Sequence, residues 1–272
     1  MRLLRWFILI VFIITTAVFT ITYVNEKRTT DTTIPVITVE NELIEVSFQA
    51  TNEELLQGVT AYDEKDKDIT DKVIVESVSK FYKTGVCKVV YAVCDSDNHV
   101  ANATRKIKFR NYESPKFYMD ESLCYSIYDK IDITDAFRVE DCIDGDISRN
   151  IIVTSEDFVS SVSGIFNIDI SVTNSKGDTS TLKLPIVIED RSLSAPTITL
   201  SEYLVYINKG EELDFASYLV SAMTKAGKEI PLNEVKIESN LDVMHEGTYS
   251  VHYYVTDSTG AQGHSILNVI VG

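Results

Sequence analysis

Two short stretches of the chain are dense in carboxylates, and carboxylate oxygens are ligands that Ca²⁺ prefers. They run from Asp63 to Asp71 and from Asp141 to Asp146, with an acid at almost every second or third position. The predicted calcium ligands are Asp63, Asp66, Asp68, Asp95, Asp141, Asp144 and Asp146. The alternative is that these acids close turns by bonding to the backbone. The turn interpretation is favoured, because Lys65 and Lys67 interrupt the first stretch and the spacing is not that of an EF-hand loop.

The four cysteines are candidates for disulfides or free thiols. Cys87 and Cys94 lie on one predicted strand with an odd separation, so they face opposite sides and are roughly 23 Å apart at ~3.3 Å per residue. A disulfide cannot bridge that distance. Cys124 and Cys142 fall within one repeat and can pair or stay reduced; the sequence leaves both open.

Other chemistry-bearing residues give weaker patterns. The histidines His99, His245, His252 and His264 have neither the helical nor the strand spacing of zinc ligands, so no zinc site is predicted. Serines such as Ser163 lack a paired base, and no glycine-rich loop follows a strand and opens a helix. The sequence therefore predicts a protein without catalytic residues and without a cofactor, and calcium at the acidic turns is the one candidate.

A repeated strand must position these residues. In the stretch Gly247–Gly260, apolar or aromatic residues alternate with polar ones, as in a half-buried strand that runs into a turn. The same pattern begins at Gly85 and Gly164, 79 and 83 residues before the next copy. A second landmark, a short strand opened by proline, begins at Pro35, Pro115 and Pro196, with spacings of 80 and 81 residues. This long period predicts an array of whole domains.

Each repeat has several short strands and frequent turn signals, which is typical of an antiparallel sandwich. The fold prediction is an all-β chain of three tandem immunoglobulin-like β-sandwich domains after one N-terminal transmembrane helix. The predicted segments are a signal anchor (1–24), a polar stalk (25–33) and domains at 34–111, 114–190 and 195–272. The linkers are only five or six residues long and lead into prolines, so we expect the domains to be strung end to end.

The N-terminal segment is apolar from Leu3 to Val24 apart from Arg5, threonines and Tyr23, which is about the length needed to cross ~30 Å of hydrocarbon. Arg2 and Arg5 precede its apolar core, and the positive-inside rule then places residues 25–272 outside the cell. We therefore predict a single-pass cell-membrane protein with a cytoplasmic N-terminus, held through residues 3–24. A cleaved secretory peptide is the alternative.

The net charge of the chain is −16. Residues 1–30 have a net charge of +3, so residues 31–272 have a net charge of −19. Such a surface repels phosphate backbones, which argues against nucleic-acid binding.

Three motifs together resemble the bacterial immunoglobulin-like domain found in tandem on surface proteins, the type also named after a pesticidal crystal protein. They are the strand from Pro35, the turn Asp141–Ile147 and the strand Gly247–Gly260. The resemblance covers nearly all of residues 34–272 in three copies and implies extracellular display, adhesion or spacing, with no catalytic residues to carry over. The third copy departs from the pattern, because Thr224–Glu229 replaces the acidic turn.

The functional prediction is a non-catalytic surface protein that binds or presents a protein or glycan ligand through the last domain, the expected tip. The alternative is a structural spacer or envelope-assembly partner. Tyrosines supply contact area at low entropic cost, although they are also common strand formers. Those predicted to be exposed are Tyr112, Tyr118, Tyr128, Tyr206, Tyr218 and Tyr254. Tyr249 alone is predicted to form a tyrosine corner, since Cys87 and Phe166 take its place in the other copies.

Overall fold

The computed structural model describes residues 2–29, 32–156 and 159–272, so residues 30 and 31 of the predicted stalk lie outside the described residues. Helix α1 (Arg2–Thr29) contains an apolar segment, Arg5–Asn25, with a mean hydropathy of 2.5. Its threonine hydroxyls donate to carbonyls one turn earlier, as Thr16 does to Phe12 at 2.7 Å. The helix is long and apolar enough to cross a membrane, and a secretory signal sequence has the same properties.

The chain forms two compact units, residues 1–111 and 112–272. After α1, the first unit contains β1 (Val36–Val39), β2 (Leu43–Val46), α2 (Asn52–Leu56), β3 (Val59–Asp63), β4 (Lys67–Asp68), β5 (Ile74–Val78), β6 (Val86–Cys94) and β7 (Val100–Phe109). These strands form two sheets with the orders β1-β3-β4 and β2-β7-β6-β5. Only β2 and β7 pair in parallel among the described strands of this unit. We call the pair of sheets the first sandwich.

The core of the first sandwich follows the predicted period of two along β6. Cys87, Val89, Tyr91 and Val93 are at most 2% exposed, whereas Cys94 faces solvent. This inward and outward placement of the two cysteines confirms the prediction. The Tyr91 hydroxyl donates to the Leu55 carbonyl at 2.7 Å, which ties β6 to helix α2.

The second unit contains two further pairs of sheets. Its strands are β8 (Lys116–Met119), β9 (Cys124–Ser126), β10 (Phe137–Asp141), β11 (Gly145–Asp146), β12 (Ile152–Glu156), β13 (Gly164–Thr173), β14 (Thr179–Glu189), β15 (Thr197–Leu200), β16 (Leu204–Ile207), β17 (Leu219–Met223), β18 (Lys236–Ser239), β19 (Gly247–Thr256) and β20 (Gln262–Val271). The middle sandwich has the sheets β11-β10-β8 and β12-β13-β14-β9. The last sandwich has the sheets β15-β17 and β16-β20-β19-β18.

The three sandwiches share the strand order of the four-stranded sheet, in which the second strand of the glycine hairpin pairs in parallel with the second strand of the repeat. The smaller sheet has three strands in the first two sandwiches and two strands in the last. The predicted all-β immunoglobulin-like architecture after an N-terminal helix is therefore confirmed. The three domain boundaries stay predictions, because the middle and last sandwiches belong to one compact unit.

The middle and last sandwiches pack side by side. Leu204 of β16 is 5% exposed and belongs to the core of the middle sandwich, while Ile266 of β20 packs on Cys124 and Val187. The Ile266 amide also donates to the Ser122 hydroxyl at 2.8 Å. The expectation that these two domains would be strung end to end is therefore wrong. The last sandwich packs on the middle one through Leu204 and Ile266. The short linker between the two sandwiches therefore has to reverse the direction of the chain.

Strand β20 lies at the centre of this packing and is buried on both faces. Leu267 and Val269 point into the last sandwich's own core, whereas His264 and Ile266 lie against the middle sandwich. Gly263 permits a close approach, since a Cβ at this position would lie 2.1 Å from the carbonyl oxygen of Pro196. A strand buried on two faces has lost the alternation of polar and apolar residues that a solvated outer face requires.

Candidate functional site

The acidic turn of the first sandwich closes on itself and on the loop after β6. The Oδ1 atom of Asp63 accepts the amides of Lys65 and Asp66, both at 2.9 Å. Asp66 in turn accepts the amide of Ser96 at 2.7 Å and its hydroxyl at 2.8 Å. The turn and this loop therefore meet at one end of the sandwich, and a Lys65–Asp97 ion pair of 2.5 Å joins them a second time.

The acidic turn of the middle sandwich repeats these bonds. Asp141 accepts the amides of Ile143 and Asp144 at 2.9 Å, and Asp144 accepts the amide and the hydroxyl of Ser175 at 2.6 and 2.7 Å. The two turns thus use carboxylates in the same way. In the last sandwich the corresponding hydroxyl of Thr224 accepts the amide of Lys228 at 3.1 Å, so the turn persists without the carboxylates.

The remaining predicted calcium ligands also hold turns. Asp68 accepts the amide of Thr70 at 3.0 Å, Asp146 accepts the amide of Ser148 at 2.9 Å, and Asp95 accepts the amides of Asp97 and His99. Hydrogen bonds from the side chain and amide of Thr70 lower the pKa of Asp68. Their contacts give the carboxylates a structural role; the calcium site stays a prediction.

For Cys124 and Cys142 the sequence left a disulfide and free thiols open; the described structure has no bond between them, and Cys94, Cys124 and Cys142 are free thiols. The Cys142 thiol donates to the Glu113 carbonyl at 3.3 Å. Cys124 lies instead between the middle and last sandwiches, where burial raises the pKa of its thiol to about 12. Such a thiol is protonated at neutral pH, which argues against a nucleophilic role.

The tyrosines predicted to be exposed differ in their surroundings. Tyr128 and Tyr206 are 63% and 37% exposed. Tyr112 is fixed by Asp178 and Asn174, with its hydroxyl 2.7 Å from the Asp178 carboxylate. The predicted tyrosine corner is present, because the Tyr249 hydroxyl donates to the His245 carbonyl at 2.9 Å.

Tyr206 belongs to a surface feature that sequence reasoning missed. Arg138 and Tyr118 are partners on the adjacent strands β10 and β8, with the guanidinium 4.8 Å from the ring centroid. The Lys116 ammonium lies 5.7 Å from the Tyr118 centroid and 4.9 Å from that of Tyr206 on β16. We call Arg138, Tyr118, Lys116 and Tyr206 the cation–tyrosine row. It crosses from the middle sandwich to the last one.

Two grooves adjoin the row, with volumes of about 420 and 480 Å³, and Lys116 and Tyr206 line both. Burial raises the pKa of Tyr206 to about 12, so its hydroxyl is neutral at physiological pH and can donate a hydrogen bond. The row therefore presents aromatic surface, hydrogen-bond donors and positive charge in one place.

A second feature that the sequence spacing did not reveal lies where β20 meets the middle sandwich. The Nδ1 atom of His264 is 3.1 Å from the Cys124 thiol and 2.5 Å from a carboxylate oxygen of Glu189. The Arg191 guanidinium donates to the same thiol at 2.9 Å, and His252 contacts the other ring nitrogen of His264 at 2.9 Å. We call Cys124, Glu189 and His264 the junction cluster. Both of its contacts to His264 use one nitrogen, so it lacks the nucleophile–base–orienter geometry of a catalytic triad.

Comparisons with known proteins agree with the fold. The family model described as "Bacterial surface protein, Ig-like domain" matches residues 49–109 and 200–271. These two segments are similar to bacterial surface Ig-like domains. The resemblance drawn from the repeated motifs is thereby confirmed for the first and last sandwiches, and the middle Ig-like sandwich has the same strand order.

Two curated relatives match about half of this Ig-like chain. Pesticidal crystal protein Cry22Aa of Bacillus thuringiensis is 32% identical over 137 residues, which are 49% of this chain and 18% of the relative. An uncharacterized 81.3 kDa protein of Acholeplasma phage L2 is 29% identical over 135 residues, 48% of this chain and 18% of the relative. The chain thus spans less than a fifth of the length of either relative.

Solved structures resemble the Ig-like array only loosely. The CBM51-2 and INT domains of Clostridium perfringens ZmpB, in complex with GlcNAc, match 54% of this chain and 26% of that chain at 22% identity and a TM-score of 0.23. Drosophila N-cadherin EC1-4 matches 78% of this chain and 63% of that chain at 13% identity and a TM-score of 0.22. No functional conclusion follows from similarities this low.

Proposed function

We propose that the chain is a membrane-anchored, extracytoplasmic module that binds or presents a protein or glycan ligand without catalysis, and that the cation–tyrosine row is its contact surface. The bacterial surface Ig-like domains and the apolar helix Arg5–Asn25 support the location and anchoring. The row itself carries the proposal for binding, because its four side chains are gathered from two sandwiches onto one exposed surface.

The chemistry of the row favours a partner with an anionic group. The chain is strongly acidic overall, with a net charge of −16, yet Lys116 and Arg138 lie together in the row. Among the described residues Lys116 forms no ion pair and contacts two aromatic rings, so its ammonium is available to a carboxylate or sulfate. Arg138 is partly neutralised by Asp120 and Glu140, which leaves Lys116 as the main cation.

The packing of the two sandwiches makes the row rigid. Tyr206 is on β16, the strand whose Leu204 is in the middle sandwich's core, and Lys116 and Tyr118 are on β8 of that sandwich. Packed strands fix the backbone positions from which the row projects, and tyrosine has few rotatable bonds to order on binding. A rigid aromatic and cationic surface is suited to a sugar ring with an acidic substituent or to an acidic protein segment.

The test compares Lys116→Ala and Tyr206→Ala with Tyr128→Ala, a control that removes a more exposed tyrosine outside the row. Binding of the full chain in detergent is measured on an array of neutral and acidic glycans and on proteins from the bacterial envelope. We expect both row variants to weaken binding about 10-fold or more, as hot-spot residues do, and the control to bind normally. Equal binding by all three variants would contradict the proposal and support the structural spacer.

Point variants are preferred to removal of the last sandwich. Leu204 contributes to the core of the middle sandwich, so a truncated chain would expose that core and lose binding for an unrelated reason. Normal thermal unfolding of each variant is the control for folding.

A further inference from the structure

We propose that the junction cluster of Cys124, Glu189 and His264 is a binding site for a divalent transition-metal ion of the zinc class, which joins the middle and last sandwiches. The thiol sulfur, a carboxylate oxygen and the Nδ1 atom all lie within 4.8 Å of one another. Thiolate, imidazole and carboxylate are the three ligand types that Zn²⁺ takes in proteins.

The three ligand atoms of the cluster are close neighbours of one another. The His264 Nδ1 atom has either one proton or one lone pair, yet both the Cys124 sulfur and the Glu189 oxygen contact it. Only one of these contacts can be a well-directed hydrogen bond. An ion placed among the three atoms would accept a lone pair from each of them.

The distances fit such an ion after a small displacement. Ligand atoms around a tetrahedral Zn²⁺ are about 3.3–3.7 Å apart, given metal–ligand distances of about 2.0–2.3 Å. The Cys124–His264 contact of 3.1 Å therefore has to widen only slightly. The larger movement falls on Glu189, whose side chain is 31% exposed and can shift towards solvent. That exposed side also offers an entry path and a place for a water molecule as fourth ligand.

Neighbouring side chains would hold the ligands in place. His252 contacts the Nε2 atom of His264 at 2.9 Å, which fixes the ring so that Nδ1 faces Cys124. The Tyr254 ring stacks on His264 with centroids 4.3 Å apart. Arg191, which now donates to the Cys124 sulfur at 2.9 Å, would act as an outer hydrogen-bond donor to the thiolate and offset part of its charge.

The site would couple the two sandwiches, because its ligands come from both. Cys124 and Glu189 lie on β9 and β14 of the middle sandwich, whereas His264 lies on β20 of the last one. Bound metal would therefore oppose their separation. This role does not depend on the cation–tyrosine row or on any ligand bound there.

The test is a titration of the chelator-treated full chain, in detergent, with Co²⁺, a spectroscopic substitute for Zn²⁺. We expect one equivalent to bind with a thiolate-to-cobalt charge-transfer band that Zn²⁺ abolishes, and Zn²⁺ to raise the melting temperature of the chain. Absence of the band from the wild-type chain would overturn the proposal, whatever the variants do.

Variants identify the ligands. Cys124→Ser should lose the band, whereas Cys142→Ser, which removes a free thiol outside the cluster, should keep it. Glu189→Gln, at a partly exposed position, should keep the band and bind Co²⁺ at least about 10-fold more weakly, an effect that even an outer-shell change can produce. His245→Gln, which changes a side chain that is 76% exposed and lies outside the cluster, should leave Co²⁺ binding unchanged.

Two results would contradict the assignment. One is loss of the band in Cys142→Ser, which would place the thiolate elsewhere. The other is unchanged affinity in Glu189→Gln, which would remove the assigned ligand set even if Cys124→Ser failed to fold. The titration contains no glycan or protein partner, so its failure would leave the proposed binding function standing.

Discussion

The hairpins β6–β7 and β19–β20 occupy the same place in the first and last sandwiches, yet their outward faces differ. In each hairpin the pair next to the turn is equivalent: Cys94 with Val100, and Thr256 with Gln262. Counting along the second strand from these pairs, Thr104 and Lys106 of β7 correspond to Ile266 and Asn268 of β20. The former pair is exposed, and the latter is fully buried against the middle sandwich. The same fold thus provides either a solvated face or a packing face, depending on a few outward residues.

The inward faces of the two hairpins also differ, and here the polar residue is in the first sandwich and is buried. Buried Arg105 of β7 donates to the Tyr91 hydroxyl at 3.0 Å and to the Gln57 carbonyl at 2.8 Å, inside the first sandwich. The corresponding residue of β20 is Leu267, which is fully buried in an apolar core. The first sandwich therefore has a polar network inside and a solvated outer face, whereas the last sandwich has an apolar core and a partner on its outer face.

The largest expected effect tests the packing face. Ile266→Ala should destabilise the second unit by about 2–4 kcal/mol, because the side chain is fully buried and its removal leaves a cavity beside Cys124 and Val187. Thr104→Ala, at the corresponding exposed position, should change the stability of the first unit by less than about 0.5 kcal/mol. Thermal unfolding followed by circular dichroism measures both. Equal effects at the two positions would mean that β20 is not a packing strand in solution.

An intermediate effect tests the inward difference. Tyr91→Phe should destabilise the chain by about 1–3 kcal/mol, because it leaves the buried Nε of Arg105 without its acceptor. Tyr253→Phe should lose only about 0.5–1.5 kcal/mol, the contribution of one hydrogen bond to the Phe215 carbonyl. Thermal unfolding of the two variants gives the comparison. A larger loss in Tyr253→Phe than in Tyr91→Phe would show that the Arg105 network does not depend on the tyrosine.

The sequence predicted the features that depend on local pattern. Alternation located the glycine strands, and the repeat spacing predicted the sandwich architecture. The comparison of Tyr249 with Phe166 and Cys87 predicted the tyrosine corner. These predictions are correct because strand periodicity and turn chemistry depend on residues close together in the sequence.

The junction cluster and the cation–tyrosine row depend on how two sandwiches pack, which no local pattern encodes. The cluster brings together residues 124, 189 and 264, far apart in sequence. One signal was available. A hairpin that pairs Thr256 with Gln262 places His252 and His264 diagonally on adjacent strands and on the same outward face, although their spacing along the chain suggests no site.

The smallest expected effect concerns the acidic turns, which the first two sandwiches have and the last one lacks. Hydrogen bonds from the Ser96 side chain and amide lower the pKa of Asp66 below its ordinary value of 3.8. A lowered pKa in the folded state means that the stabilisation is present above pH 3.8 and is lost as the pH falls through the lowered pKa. The melting temperature of the wild-type chain should therefore fall in this acidic range, and that of Asp66→Asn should fall less.

Calcium provides the sharper comparison between the two kinds of turn. Because the carboxylates of Asp63, Asp66, Asp141 and Asp144 already accept backbone amides, we expect about 5 mM Ca²⁺ to change the melting temperature by less than about 1 °C. That concentration exceeds the Kd of extracellular calcium modules, which is about 0.1–1 mM. An occupied calcium site would therefore raise the melting temperature by about 2–4 °C or more. A rise of that size, abolished by Asp144→Asn but unaffected by Thr224→Ala, would establish a calcium site in the turns instead.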